Sequence, residues 1–190
     1  MKNAVISAVV GLAALGTANA AIVDQGATTV GGGGGIELVS GGNAILQANG
    51  LYSSQTTTPA SDWVWTDNGD QTTTWTFTFD LTGFDKSTAV LSGLWGVDNT
   101  GTIDLNGTQI ANLPVVTTAN FTSLISYSTS DSSLFNMGMN VLTFVLSDAG
   151  GPEAFRATAT VEADTSAIPV PAALPLFLAG LAVVARKRRK

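Results

Sequence analysis

TTTWTFTFDL, residues 72–81, alternates Trp75, Phe77, Phe79 and Leu81 with Thr74, Thr76, Thr78 and Asp80. A period of two places these large apolar side chains on one face and Thr74, Thr76, Thr78 and Asp80 on the other, the mark of a strand with one face in a core and one in water. AFRATATVE, residues 154–162, repeats the pattern: Phe155, Ala157, Ala159 and Val161 face inward, and Arg156, Thr158, Thr160 and Glu162 face outward. Outward-facing Arg156 then has two uses, an ion pair with a carboxylate or a contact to a ligand, and the ion pair is the preferred one.

Working outward from these two strands, further short β runs lie at 36–40, 44–47, 63–66, 89–97, 102–105, 121–127 and 140–146. Asn106-Gly107 between two of them predicts a tight hairpin, because both central positions of that turn need positive φ. WTDNGDQTTTW, residues 65–75, reads as a second hairpin with a longer loop. No segment of the body carries apolar residues at i, i+3 and i+4 over three turns, so a helical or parallel α/β fold is not expected. The pattern predicts an all-β chain, an antiparallel sandwich of about eight or nine strands over residues 36–164.

The ends differ in kind from this body. MKNAVISAVVGLAALGTANA, residues 1–20, holds one lysine, an apolar run from Ala4 to Leu15 and a small-x-small site at Ala18-Asn19-Ala20. That is the form of a secretory signal peptide cut between Ala20 and Ala21. Residues 21–35, with five consecutive glycines from Gly31, read as a flexible lead-in; no Lys-Ser/Thr follows to make a phosphate loop. At the other end, residues 165–190 form a linker and tail. Pro171 and Pro175 delay a helix to about Leu174, so residues 174–185 give roughly 18 Å of helix against a hydrocarbon core of about 30 Å. Arg186, Lys187, Arg188, Arg189 and Lys190 then close the chain and would stay on the cytoplasmic side as a basic stop.

Charge follows the same division. The body carries two basic residues, Lys86 and Arg156, against all fourteen carboxylates, a net charge of −12 for residues 21–167. That argues against nucleic acid as a partner. The chain has no cysteine and no histidine. Disulfides, Cys/His zinc sites, cysteine nucleophiles and Ser-His-Asp relays are therefore excluded.

The tail resembles the VPLPA-type sorting signal, a relative of the PEP-CTERM signals processed by exosortases. The motif stands here as Ile168-Pro169-Val170-Pro171-Ala172, with LPLFLAGLA and the basic stop after it. It departs from the pattern at Ile168 and Val170. The resemblance implies an exosortase-type membrane protease as partner, transient residence in the inner membrane of a Gram-negative cell, and release to the cell surface or extracellular matrix, often beside exopolysaccharide. The alternative is a plain C-terminal anchor that is never cut.

The stretch from LSGLWGVDNTGTIDLNG to FNMGMNVLTFVLSDAGGPEAFRATATV resembles a galactose-binding-like β-sandwich, of jelly-roll type. It carries Trp95, Asp98, Asn99, Leu105, Asn106, Gly107, Phe135, Gly138, Asn140, Leu142, Phe144, Gly151, Pro152 and Arg156 in that pattern. Most of these are fold-making positions, so the resemblance implies the sandwich more than any ligand.

Candidate binding residues remain. Trp63 and Trp65, two apart on one strand face, could stack on a pyranose ring, although a core position is preferred for them and for Trp75 and Trp95. Asp67, Asp70, Asp98 and Asp104 lie in oxygen-rich stretches that would suit Ca²⁺, although Asp and Asn are also ordinary turn formers. No cofactor and no catalytic residue is indicated, since no acid pair stands in a protected context. The expected function is an exported, non-catalytic module that binds exopolysaccharide, or a structural matrix protein without a small ligand; a secreted hydrolase is the least favoured.

Overall fold

The computed structural model describes residues 20–166. The expected signal peptide up to residue 19, the motif Pro169, Val170, Pro171, Ala172, the expected helix 174–185 and the basic residues 186–190 lie outside the described residues. Eleven strands run in chain order: β1 (Ala21–Ala27), β2 (Ile36–Leu38), β3 (Ala44–Leu46), β4 (Val64–Thr66), β5 (Thr72–Asp80), β6 (Val90–Asp98), β7 (Thr100–Leu105), β8 (Thr108–Leu113), β9 (Ile125–Thr129), β10 (Met139–Ser147) and β11 (Ala154–Ala163). They form two antiparallel sheets. One has the order β3-β4-β11-β6-β9 with β1 also on β11, and the other the order β2-β5-β10-β7-β8.

The alternation on β5 does what a period of two requires. Trp75, Phe77, Phe79 and Leu81 are buried, and the β5–β10 register sets Trp75 opposite Phe144 and Phe77 opposite Leu142. Facing them from the other sheet are Phe155, Ala157, Ala159 and Val161 of β11, with Leu91, Trp95 and Val97 of β6. Ring contacts cross the gap: Trp75 to Phe155 at 5.5 Å, Phe144 to Phe155 at 5.1 Å and Trp95 to Phe144 at 6.4 Å between centroids. Each such side chain removed from water contributes about 1.5–3 kcal/mol, and the aromatic pairs add about 0.5–1.5 kcal/mol. All-β antiparallel architecture, expected from the alternation, is what the chain adopts.

Four local expectations need correction. First, residues 21–35 are not a loose lead-in. β1 pairs with β11 from Ala21↔Ala163 to Ala27↔Thr158, with a bulge between Ile22 and Asp24 that breaks the alternation by which a strand is recognised. The glycines that follow turn at positive φ, and the Glu37 carboxylate accepts from the Gly33 and Gly35 amides at 2.8 and 3.2 Å. Second, residues 65–75 are not a hairpin: β4 lies in one sheet and β5 in the other, so the DNGD loop is a crossover. Trp65 Nε1 donates to the Asp70 carbonyl at 3.0 Å and holds that crossover to the core.

Third, residues 121–124 precede a strand instead of forming one. A short helical turn at Ala119–Thr122 covers the first two of them, and the Asn120 side chain donates to the Val115 carbonyl at 2.9 Å, a local bond that competes with strand pairing. Fourth, β11 is buried on both faces over its first half, so Arg156 is not outward-facing but 8 % exposed. β1 and β4 share one edge of β11, and between them Thr28 bridges the gap. Its amide donates to the Ala157 carbonyl at 3.0 Å, and its hydroxyl accepts from the Ala157 amide at 3.1 Å and donates to the Asp62 carbonyl at 2.7 Å.

The Asn106-Gly107 hairpin joins β7 to β8 as expected, with φ of 51° and 83°. It belongs to the pole of the sandwich where β1 begins and β11 ends. The opposite pole, where β6 ends at Asp98 and β11 begins at Ala154, collects the loops 47–63, 98–99, 114–124 and 148–153. Ten residues of β11 separate the two poles by roughly 30 Å. Both ends of the described chain therefore leave from the pole away from these loops.

Candidate functional site

The loop pole holds a cleft of about 470 Å³. Its walls come from four loops, and its lining is mixed: Leu51, Val116, Phe121 and Pro152 supply apolar surface, while Asn49, Asn99, Thr117 and Thr118 supply neutral amides and hydroxyls. Leu51 is 62 % and Val116 57 % exposed, so their side chains stand at the surface instead of filling a core. Asp98 is the one acidic residue of the lining.

Beneath the cleft lies a satellite apolar cluster of Tyr52, Trp63, Phe121, Leu124 and Ala154, apart from the main core. Trp63 stacks on Tyr52 with centroids 4.9 Å apart, and Tyr52 meets Phe121 edge-on at 5.7 Å. Trp63 is 7 % exposed and Trp65 fully buried. Neither offers a stacking platform, and the core position preferred for all four tryptophans is the one observed. Trp63 instead works from below: its Nε1 donates to the Ser53 carbonyl at 2.9 Å.

Arg156 converges on the same carbonyl. Its Nη1 donates to Ser53 O at 3.0 Å, its Nε to Ser61 Oγ at 2.8 Å and its Nη2 to Thr57 Oγ1 at 3.5 Å. Its hydrogen bonds go to neutral oxygens and not to a carboxylate, so the expected ion pair is replaced by a strap. Burial lowers the guanidinium pKa and the Asp62 carboxylate partly offsets that. Two residues singled out as ligand contacts thus position the loop that carries Asn49 and Leu51 into the cleft wall.

The acidic residues do not gather as expected for a cation. Among the described residues no three His, Cys, Asp or Glu side chains come together as metal ligands. Asp67 accepts from the Asn43 amide and side chain, both at 2.7 Å. Those bonds hold its carboxyl below the usual range. Asp70 accepts from Asn68 Nδ2 at 2.6 Å, within the crossover loop. Asp104 lies mid-strand on β7, opposite Thr143 and Gln109. Only Asp98 reaches the cleft: Asp67 and Asp70 are held by local bonds at the crossover loop, and Asp104 stands on β7.

Asp98 is 5 % exposed; its Oδ2 accepts from Tyr52 Oη at 3.3 Å and its Oδ1 from Asn99 Nδ2. Burial raises its pKa, the Tyr52 hydrogen bond opposes this, and the Asp148 carboxylate raises it further. The Tyr52 phenol is likewise pushed up, first by burial and then by the Asp98, Asp148 and Glu153 charges. Asp148 Oδ2 accepts from the Gly150 amide at 2.7 Å, while its buried Oδ1 has no partner.

Asparagines hold the loops around this acid. Asn99 Oδ1 accepts from the Ala149 amide at 2.7 Å, and Asn120 Nδ2 donates to the Asn99 carbonyl at 2.6 Å. Asn99 Oδ1 thus reaches the 148–153 loop, and its carbonyl the 114–124 loop. Sequence reasoning misses Asn49, Leu51, Val116, Thr117 and Thr118, which carry no periodic signal, and reads Phe121 as a strand residue; they meet only through tertiary folding. A second, smaller depression of about 270 Å³ lies beside Thr72, Thr102, Asn112 and Val145 on the other sheet.

No family model matches the chain, and no curated protein does. Among solved structures it is similar to a family 35 carbohydrate-binding module from an environmental isolate, at 14 % identity and TM-score 0.42, over 76 % of this chain and 98 % of that one. It is also similar to the CBM35 of Abf62 from Cellvibrio japonicus, at 15 % identity and TM-score 0.41, over 78 % and 100 %. A third, Xyl-CBM35 in complex with a glucuronic acid containing disaccharide, shares 15 % identity at TM-score 0.39, over 78 % and 99 %. Likeness at this level decides neither family nor ligand, and the sandwich stands on the strand pairing itself.

Proposed function

We propose that this chain is an exported, non-catalytic glycan-binding module that takes its ligand in the cleft at the loop pole. The observation that carries this is the lining. Exposed Leu51 and Val116 give apolar surface for the C–H face of a sugar, and Asn49, Thr117 and Thr118 give neutral donors and acceptors for its hydroxyls. With a single carboxylate in the lining, the two-acid arrangement of glycoside hydrolysis is not assembled there.

Export rests on the ends of the sequence. The N-terminal apolar run and Ala18-Asn19-Ala20 support cleavage before Ala21, the residue at which β1 begins. The Pro169 to Ala172 motif, apolar run and basic stop support sorting by an exosortase-type protease to the cell surface or matrix. Among the described residues no helix is long and apolar enough to cross a membrane. Since residue 166 leaves from the pole away from the cleft, a chain held by its tail would present the cleft outward, toward matrix exopolysaccharide.

The test is affinity electrophoresis through the exopolysaccharide of the native cells, comparing the wild type with Leu51→Ala/Val116→Ala. Retardation by the wild type and its loss in the variant, at unchanged melting temperature, is the expected result. No retardation of the wild type by that polysaccharide would favour a structural matrix protein. Intact mass of the protein from the same cells should run from about Ala21 to the Pro169–Ala172 motif; a species retaining Lys190 throughout would make the tail a plain anchor.

A further inference from the structure

Resting on the glycan reading of the cleft, we infer that the site selects glycans without carboxylate groups and rejects uronic acids. Where no divalent ion bridges it, a uronate carboxylate is met most directly by an arginine or lysine beside the sugar. The described residues contain two cations, Lys86 and Arg156. Lys86 precedes β6 and donates to the Phe135 carbonyl at 3.1 Å, while the cleft stands at the far end of that nine-residue strand. Arg156 is buried beneath the loop, and each of its three nitrogens already donates to Ser53, Ser61 or Thr57.

Negative charge stands where a cation would be needed. Asp98 lines the cleft, Asp148 lies close enough to raise it, and Glu153 acts with both on Tyr52 directly below. The unpartnered Asp148 Oδ1 adds a buried acceptor that nothing offsets. A ligand carboxylate entering this field would be repelled by several like charges in partly desolvated surroundings, where screening by salt is weak. A neutral hexose meets no such penalty, and its hydroxyls can donate toward the acidic floor.

A matched pair of probes isolates the charge: polygalacturonate and the same polymer after carboxyl reduction to the neutral galactan, in buffer with EDTA so that no divalent ion bridges carboxylates. The wild-type protein should be retained by the neutral form and at least about tenfold less by the acidic one. The gap should narrow for Glu153→Gln, with retention by the neutral form unchanged in that variant. Equal or tighter retention by the acidic form overturns the inference while leaving the glycan reading intact. Retention by neither form, for a protein that melts cooperatively, overturns the inference, and joined with no retardation by the native exopolysaccharide it removes the glycan reading at this cleft as well.

Discussion

The two poles of the sandwich use asparagine in contrasting ways. At the pole where the chain ends emerge, Asn140 is fully buried between Asn106 and Asn136. Its Oδ1 accepts from the Asn136 amide at 2.7 Å and from Asn106 Nδ2 at 2.8 Å, and its Nδ2 donates to the Gly138 and Asn136 carbonyls at 2.6 and 3.1 Å. Every capacity of that amide is used, and it ties the turn at Asn106 to the start of β10. At the loop pole Asn99 and Asn120 also tie loops together, yet Asp148 Oδ1 is left without a partner and Leu51 and Val116 stay exposed. Complete satisfaction marks the pole that holds the fold, and incomplete satisfaction marks the pole with room for a ligand.

The contrast can be broken most directly at Asn140. Asn140→Ala leaves the Asn136 amide, the Gly138 carbonyl and Asn106 Nδ2 without this partner, and should cost about 2–3 kcal/mol, read by denaturant unfolding. A loss below about 0.5 kcal/mol would mean that the network is ornamental. Arg156→Ala should act at the other pole and more locally. A total loss of about 1–3 kcal/mol is expected, with amide exchange accelerating in residues 48–62 well before the sheets. Uniform acceleration across β5 and β10 would show that Arg156 does not act as a loop strap.

Asp98→Asn should have a smaller effect, with a sign set by pH. The folded carboxyl titrates above its unfolded value, so the folded state holds the proton longer as pH rises. The contribution of this group to stability therefore falls as pH climbs from the ordinary aspartate range through the raised value, and stays low at neutral pH. Asp98→Asn removes that fall, so variant minus wild-type melting temperature should increase from about pH 3.5 to 7. A difference that decreases over this range would place Asp98 as a stabilising carboxylate. The exposed Asp67, Asp80, Asp85 and Asp131, lowered by their own hydrogen bonds, slope the opposite way but cancel in the comparison.

The smallest expected signal is in fluorescence. With Trp63 at 7 % exposure, Trp95 at 1 % and Trp65 and Trp75 at zero, iodide should barely quench the native protein, and emission should shift red only on unfolding. Strong quenching of the folded protein would reopen Trp63 or Trp65 as a surface platform.

Much of the fold was legible in the sequence because Trp75 to Leu81 and Phe155 to Val161 obey a strict period of two, and Asn106-Gly107 names its own turn. β1 was illegible because a bulge shifts its parity and its edge position is created by β11. Arg156 misled for a related reason: alternation tells which side of a strand a residue faces, not whether a loop covers that side. The cleft was the least legible part. Asn49, Leu51 and Val116 lie in loops without periodicity, Phe121 reads as a strand residue, and their common surface exists only after Trp63 and Arg156 have drawn the 47–63 loop onto the sandwich.

The central claim is that the loop pole, and not the threonine-bearing outer face of the second sheet, receives the glycan. It is tested most directly by mapping amide chemical shifts of residues 21–166 during titration with the carboxyl-reduced polymer's oligosaccharides. Shifts should concentrate at Asn49, Leu51, Val116 to Phe121 and Gly150 to Gly151, leaving Asn106 and Asn140 still. Shifts confined to Thr74, Thr76, Thr102 and Thr143 would contradict the account and move the binding surface onto the sheet.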